Sequence, residues 1–232
     1  MEGQGAYTSV DGEKAYMSPF DLILTPNGRW HDHGNETELP MIWLDGLDIP
    51  IVRHLDAGFA ERYEAPIFPE KSAAGSTQMR YGRNMRPMVS SAVGEPSPKV
   101  PLFHYPYAEW SQALDAVAGS DAPDPYLGHA LEFLNPANSG SVMSTISANV
   151  RLIPAGYETG IRRSTEGAIY TVVEGKGEVE VDGEVIKLEP LDIIVVPSWK
   201  AVRWRANQKL VLFCYSDRVV QEKLNLYKES FE

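Results

Sequence analysis

The chain has 232 residues, of which 43% are hydrophobic and 23% are charged, so it can form one large or two small globular domains with a real core. Its formal net charge is −11 and its basic residues do not cluster, which argues against nucleic acid and anionic membrane surfaces as partners. The first residues lack the apolar segment of a signal peptide, and no apolar run approaches the ~18 residues that span a membrane, so we expect a cytoplasmic protein.

The first predicted elements belong to a pattern that occurs twice. One copy begins at Gly3 and reads GQGAYTSVDGEKAYMSPFDLILTP, and the other begins at Gly175 and reads GKGEVEVDGEVIKLEPLDIIVVP. Both contain Val-Asp-Gly-Glu between β-prone segments, which predicts a hairpin with an Asp-Gly turn. From Asp11 to Pro26 the offset is constant at 171 residues, so that Asp182 corresponds to Asp11. Two copies predict two related β-structures.

The segment between the copies differs from both in composition. It is rich in Pro, Ser and Ala, and it contains one predicted helix, YAEWSQALDAVAG, in which Trp110, Leu114 and Val117 recur at helical spacing. We interpret this segment as a connection between two domains, with its helix packed partly against them.

The second copy lies within a run of predicted short strands. Further strands are predicted in TISANVRLIPAG and AIYTVVEG before it, and in AVRWRA and KLVLFCYS after it. Many short antiparallel strands at turn spacing favour a small barrel or jelly roll. We expect Tyr170, Trp199 and Trp204 in its core. Cys214, the single cysteine, is expected there as a buried thiol rather than a nucleophile.

The stretch from Pro26 to Asn35 carries a family resemblance. It reads PNGRWHDHGN and resembles the second cupin motif, in which Pro-x-Gly is followed by a metal-binding His and then by Asn, here His31 and Asn35. Two copies joined by a helical segment resemble a bicupin. The phrases WHDHGN, WLDGLD, PLFHYPY and RSTEGAIYTVVEGKGE are similar to the gentisate 1,2-dioxygenase group, which includes 1-hydroxy-2-naphthoate and salicylate ring-cleaving enzymes.

This resemblance implies a fold and a chemistry. The fold is all-β, a bicupin of double-stranded β-helix (jelly-roll) barrels with short helices between them and at the C-terminus, usually in a homo-oligomer. The chemistry is cleavage of gentisate or a related aromatic hydroxy acid by O2 at Fe(II), which three histidines of the first barrel hold. Fe(II) suits this reaction because it offers open positions to a chelating substrate and to O2.

The resemblance also implies roles for three residues. His31 takes the place of an iron ligand. His33 takes a place near the substrate or bound oxygen, where it donates a hydrogen bond or relays a proton, and Asp45 of WLDGLD lies beside it. Residues i and i+2 of a strand share a face, so His31 and His33 are expected to point the same way.

The second copy departs from the cupin pattern at every ligand position. Arg162, Ser164 and Ala168 stand where the first cupin motif has its ligands, and Val202 stands where the second motif has its histidine. We therefore expect a metal-free second barrel, in which Arg162 and Arg163 make ion pairs, contact the other barrel or bind an anion.

The first copy shows the second motif only. Carrying the repeat back along the chain places the His-x-His of the first motif before Met1, so two of three expected iron ligands are missing from this sequence. The expected organisation is therefore an incomplete first barrel, a connection with a helix, a complete second barrel and a terminal helix in DRVVQEKLNLYKESF. Their bounds are residues 1–55, 56–138, 139–216 and 217–232.

Several interpretations stay open at this point. The chain belongs to a ring-cleaving dioxygenase, or it is a non-catalytic cupin fragment that acts only in folding or assembly, or it is one half of a split enzyme. A local alternative makes His31, His33 and Glu38 a first cupin motif, although Thr25 stands where that motif has Gly. The remaining histidines, His54, His104 and His129, are expected to be surface or packing residues.

Overall fold

The structure is a computed structural model that describes residues 3, 5–83, 85, 87, 88, 90, 92 and 100–232. The chain forms two compact units, one comprising Met1–Trp110 with Asn135–Gly140 and the other Ser111–Leu134 with Ser141–Glu232. The described elements are mostly short strands with a few short helices, as the all-β prediction requires.

The first unit is built on a small antiparallel sheet. Its strands run in the order β2-β1-β4, and β3 pairs separately with β5. The described elements are, in chain order, β1 (Ala6–Val10), β2 (Glu13–Tyr16), β3 (Leu22–Ile23), β4 (His31–Asn35), α1 (Ile49–His54), α2 (Ser76–Tyr81), β5 (His104–Tyr105) and the start of α3 (Tyr107–Ser120). Every residue of β1 is buried.

The remaining elements lie largely in the second unit. They are β6 (His129–Glu132), β7 (Leu134–Asn135), β8 (Gly140–Ser141), β9 (Ser147–Ile153), β10 (Arg162–Ser164), β11 (Ala168–Glu174), β12 (Gly177–Val181), β13 (Glu184–Leu188), β14 (Ile193–Val196), β15 (Val202–Ala206), β16 (Leu210–Ser216), α4 (Arg218–Lys223) and β17 (Glu229–Phe231). Two five-stranded sheets result, in the orders β13-β12-β15-β10-β17 and β14-β11-β16-β9-β6. Residues of both sheets share one apolar core, which includes Val172, Trp204 and Leu212.

The repeat seen in the sequence is also a repeat of structure. Strand β1 pairs with β4 so that Val10 lies opposite His31, and β12 pairs with β15 so that Val181 lies opposite Val202. The pairs β1–β2 and β12–β13 likewise share one register. Each pairing in the second unit is offset from its counterpart by the spacing of the repeat. The pattern therefore encodes one local structure twice.

The Asp-Gly turns explain why the two hairpins match. Asp11 and Gly12 have φ values of 47° and 85°, and Asp182 and Gly183 have values of 49° and 86°. Two successive residues with positive φ are typical of the turn that joins tightly twisted antiparallel strands, and Asp-Gly tolerates this conformation. The Asp side chain in each turn also accepts a hydrogen bond from a backbone N–H just before β4 or β15. A side-chain hydrogen bond therefore links the hairpin turn to the strand that pairs beside it in both units.

The predicted connecting helix is confirmed. Helix α3 spans Tyr107–Ser120, and it buries Trp110 and Leu114. None of the described helices is long and apolar enough to cross a membrane.

The C-terminal segment differs from the helix expected over residues 217–232. Only Arg218–Lys223 is helical, and Asn225 adopts a left-handed conformation with φ of 57° just after the helix. Such a residue commonly ends a helix. The chain then forms β17, which pairs with β10 and becomes the edge strand of that sheet. Hydrogen bonding along this edge outweighs the helical periodicity of the sequence.

Candidate functional site

Strand β4 presents both histidines on one side. The ring centroids of His31 and His33 lie 5.8 Å apart, and both residues are exposed. Asp32, between them, is turned to the other side, where its Oδ2 accepts a hydrogen bond from the backbone N–H of Phe68 at 3.2 Å. The expectation that the two imidazoles share a face therefore matches the observed placement.

The ring of His31 is oriented by the backbone just before it. Its Nδ1 lies 3.2 Å from the carbonyl oxygen of Arg29, which can only accept a hydrogen bond. Nδ1 therefore carries the proton in the neutral ring, and Nε2 keeps its lone pair. This tautomer is the one that binds a metal through Nε2 while the other nitrogen is held by an acceptor.

The ring of His33 has a different environment. Its Nδ1 lies 2.9 Å from Oγ1 of Thr8, which is buried in β1 directly opposite, and the ring of Trp43 lies 5.9 Å away between centroids. Partial loss of water around the imidazole lowers the pKa of His33 below its ordinary value, and the charge on His31 acts in the same direction. His33 is therefore biased toward its neutral form.

Asp45 lies close enough to His33 to act on it electrostatically. Its carboxylate partly opposes the lowered pKa of His33, as does the carboxylate of Asp32. Asp45 is itself exposed. The structure thus brings His31, His33 and Asp45 into one neighbourhood, as the resemblance implies.

Sequence reasoning missed Thr8 and Trp43, the two residues that contact His33. Thr8 could have been found by pairing β4 with the first strand of the hairpin, because that pairing places Thr8 opposite His33. Trp43 gave no such signal, since residues 37–48 contain only an isolated bridge at Ile42. Its position depends on tertiary packing rather than on strand alternation.

The resemblance implies Fe(II), which needs several protein ligands. Within the described part of the chain, no three His, Cys, Asp or Glu side chains come together as a possible metal site, and His31, His33 and Glu38 form no such group. The residues present offer a correctly oriented imidazole, but they do not form a complete iron site. One neutral imidazole cannot hold Fe(II) against water.

The other three histidines have different surroundings. His104 forms a hydrogen-bonded pair with Asp21 at 2.9 Å, His129 is buried in β6, and His54 is exposed at the end of α1. These positions agree with surface or packing roles.

In the second unit, charged and apolar residues replace the ligands. Arg162 is buried and pairs with Glu166 at 2.7 Å and Glu229 at 2.6 Å, and it donates to the hydroxyl of Tyr227. Arg163 lies 3.5 Å from the carboxylates of Asp182 and Glu232, so the ion pairs predicted for both arginines are present.

The aromatic and thiol predictions for the second unit are mostly confirmed. Tyr170 and Trp204 are buried, and burial raises the pKa of the Cys214 thiol to about 11, which disfavours a nucleophilic thiolate. The prediction for Trp199 is wrong, because 44% of this residue is exposed. Trp199 lies in the loop before β15. Its backbone is left-handed there, with φ of 64°, and its side chain lies outside the core.

Comparison with protein families identifies a cupin domain. The cupin-domain model matches residues 1–47 and residues 149–215. These two ranges contain the two copies of the repeat, so both units have cupin character.

Individual relatives match nearly the whole chain. Gentisate 1,2 dioxygenase 1 of Aquipseudomonas alcaligenes is 40% identical over 99% of this chain and 65% of its own length. The 5-aminosalicylate 1,2-dioxygenase of a Comamonas species is 35% identical over 98% of this chain and 60% of its own length. The chain thus spans less than two thirds of the length of these relatives.

A solved structure agrees with them. The salicylate 1,2-dioxygenase of Pseudaminobacter salicylatoxidans superposes with a TM-score of 0.88 at 32% identity, covering 99% of this chain and 67% of that chain. Another structure of a salicylate 1,2-dioxygenase, with gentisate adducts, has a TM-score of 0.85.

Proposed function

Because the chain belongs to the gentisate 1,2-dioxygenase group of cupin proteins, we propose that it serves a ring-cleaving dioxygenase. Its substrates are gentisate or a related hydroxybenzoate and O2, and its cofactor is Fe(II). The observation that carries this proposal is the shared face of β4, where His31 and His33 lie together with Asp45 nearby.

His31 is proposed as one ligand of the iron. Its Nε2 has a free lone pair because Nδ1 donates to the carbonyl of Arg29. The described residues do not complete a ligand set, so the other ligands would come from outside them. Bound Fe(II) would supply open positions for the hydroxyl and carboxylate of the substrate and for O2.

His33 is proposed to handle a proton of the aromatic hydroxy acid. A lowered pKa keeps its imidazole neutral near pH 7, so that it can accept the proton of a phenolic hydroxyl. Thr8 fixes the ring, and the carboxylate of Asp45 stabilises the imidazolium that forms. His33 and Asp45 are the catalytic residues in this proposal.

A second function is a non-catalytic role in folding or assembly. It is favoured by the incomplete donor set among the described residues and by the charged pairs at the ligand positions of the second unit. In a split enzyme, the remaining iron ligands would lie on another polypeptide. The incomplete donor set of the described residues would then be compatible with dioxygenase activity.

Homo-oligomers are proposed as the working form. The first unit exposes several large apolar side chains, which are typical of protein–protein contacts. They include Leu39 (64% exposed), Leu47 (59%), Leu55 (67%) and Phe59 (83%). Size-exclusion chromatography with light scattering tests this directly, and a monomer at micromolar concentration would contradict it.

The decisive experiment measures iron binding and O2 uptake together. The chain is loaded anaerobically with Fe(II), alone or co-expressed with the part of the A. alcaligenes relative that it does not match. We expect little iron and no uptake from the chain alone. With the added segment, we expect near-stoichiometric iron and gentisate-dependent O2 consumption.

Two histidine variants test whether iron binding depends on His31 of β4. H31A should abolish iron binding and O2 uptake in the co-expressed protein, whereas H54A, which replaces an exposed histidine of the same unit, should change neither. Iron binding that survives H31A would refute the ligand role. A folded complex with iron but without gentisate-dependent uptake would refute the proposed reaction and favour the assembly role.

A further inference from the structure

Asp32 faces away from the two histidines of β4 and contacts a different part of the chain. Its Oδ2 accepts a hydrogen bond from the backbone N–H of Phe68 at 3.2 Å. Phe68 is buried, and its ring stacks on Trp30, the residue before β4, with 5.9 Å between centroids. The ring of Tyr63 packs edge-on against both of them. Residues 63–77, which we call the backing segment, therefore contact β4 on the side opposite its histidines.

The backing segment is also fixed to the first hairpin. The backbone N–H of Lys71 donates to the carbonyl oxygen of Gly12 at 2.9 Å. Glu13 is only 4% exposed, and its carboxylate accepts hydrogen bonds from the backbone N–H of Thr77 at 2.9 Å and from the Thr77 hydroxyl at 3.0 Å. These bonds join the segment to β2 and to the turn before it, so the segment can support the strand that packs against it.

The second hairpin has different contacts at the equivalent positions. Where the first copy of the repeat has Asp32, the second has Arg203, which pairs with Glu158 at 2.6 Å. Glu184, the counterpart of Glu13, is exposed. The hairpin whose neighbouring strand carries the two histidines is therefore the one that the backing segment supports.

The position of β4 explains why such a support matters. In the sheet order β2-β1-β4 it is the outer strand, and it pairs with β1 along one side. Outer strands with exposed backbone open locally more easily than central ones. His31 and His33 project from the same face, so a shift of β4 would move both rings together. A misplacement of about 1 Å can lower the activity of a site roughly 100-fold.

We propose that Asp32 is a positioning residue for the histidine face of β4. By accepting the hydrogen bond from Phe68, it holds this outer strand against the backing segment and thereby sets the orientation of His31 and His33. A charged acceptor suits this role because it binds an N–H more strongly than a neutral acceptor does. The inference rests on the function proposed for β4, but the orientation of the rings can be measured without iron or substrate.

The first test compares D32A and D32N with R203A, the matched control in the second hairpin. At pH 8, above the ordinary pKa of an imidazole, the ¹⁵N NMR shifts of each ring report which nitrogen carries the proton. Native His31 should carry it on Nδ1, which faces the carbonyl of Arg29. D32A should show a mixture of both tautomers. D32N, whose side-chain carbonyl can still accept from Phe68, and R203A should keep the native spectrum, whereas a merely stabilising role would change the Tm and leave the tautomer unchanged.

Amide hydrogen exchange provides a measurement on the native chain, which does not depend on a variant folding. The N–H of Phe68 should exchange at least about tenfold more slowly than an unprotected amide, and it should lose this protection in D32A. An unprotected Phe68 amide in the native chain would overturn the proposal. A native tautomer of His31 in D32A, or equal losses in D32N and D32A, would overturn it as well.

Activity separates this inference from the function on which it rests. In the co-expressed protein, D32A should lower kcat for gentisate about tenfold with little change in KM, because ring orientation affects the chemical step, and D32N should restore it. An unchanged kcat in D32A would contradict the proposal. If the native complex consumes no O2, the proposed reaction fails, while the NMR and exchange measurements still decide the role of Asp32.

Discussion

Strands β4 and β15 have the same local structure and opposite environments. Each is paired in one register with the first strand of a hairpin that turns at Asp-Gly. Yet His31 and His33 are exposed, whereas Val202 and Trp204 at the corresponding positions are buried. In the second unit a five-stranded sheet covers this face. The described residues of the first unit contain no such sheet.

The segment after each strand shows the same contrast. Residues 210–216 form β16, which is bonded on both sides to β11 and β9. The corresponding residues 39–45 contain only an isolated bridge, although they include Ile42, Trp43 and Leu44. An apolar run becomes a strand only when neighbouring strands accept its backbone hydrogen bonds. The hairpin motif therefore determines local geometry, and the partner sheet determines burial.

The largest predicted effect compares residues 204 and 33, which are equivalent in the repeat. W204A should lower the free energy of unfolding by about 3–5 kcal/mol, because it leaves a cavity in the shared core. H33A should lower it by only about 1 kcal/mol, because His33 is exposed and its loss removes one hydrogen bond to the buried hydroxyl of Thr8. Urea denaturation of both variants measures the difference. Similar losses in the two variants would show that the two faces are equally buried.

The buried ion pair of the second unit is the next test. R162M leaves Glu166 without one of its main charged partners and should cost about 3 kcal/mol at neutral pH. Although burial alone would raise it, hydrogen bonds from Ser216 and Arg162 hold the pKa of Glu166 below its ordinary value of 4.5.

The pH dependence of the same pair follows from linkage. A carboxyl whose pKa is lower in the folded state contributes stability above the unfolded value of 4.5 and loses it as the pH falls through the folded value. The native chain should therefore lose stability in acid below about pH 4.5, and E166Q should lose less over this range. Denaturation series at several pH values measure this, and parallel curves would contradict the assigned direction.

A smaller effect distinguishes the two Asp-Gly turns. G183A should cost about 1–2 kcal/mol because alanine disfavours positive φ, although its Cβ would lie in open space. G12A should cost more, since its Cβ would lie 2.4 Å from the carbonyl oxygen of Pro69. Thermal unfolding of both variants makes the comparison. Equal costs would mean that residues 69–71 do not pack on the first turn.

The smallest effects concern the titration of His33, whose counterpart in the second unit, Trp204, does not titrate. The pKa of His33 should lie below the ordinary value of 6.5. H31A should raise this pKa by removing a positive neighbour, and D45N should lower it by removing a negative one. NMR titration of the imidazole carbon resonances measures each shift. A His33 pKa that does not respond to D45N would separate Asp45 from the proposed site.

The sequence predicted most of the local structure and the neighbourhood of the site. Turn chemistry and alternation predicted the paired hairpins, and helical spacing predicted α3 with its buried Trp110 and Leu114. The second cupin motif placed His31 and His33 on one face. These features depend on residues that are close in the chain, so their physics can be read from short windows.

Long-range contacts decided what the sequence could not. The pairing of β17 with β10 replaced the end of a predicted helix, and Trp43 reached His33 from a segment without regular structure. Arg151 looks like a surface residue in its strand, yet its register places it in the core. Residue propensity and hydrophobic periodicity indicate which secondary structure a segment can form. Its burial and its hydrogen-bond partners depend on the distant segments that pack against it. Tertiary structure therefore decided which face is buried and which distant side chains lie beside it.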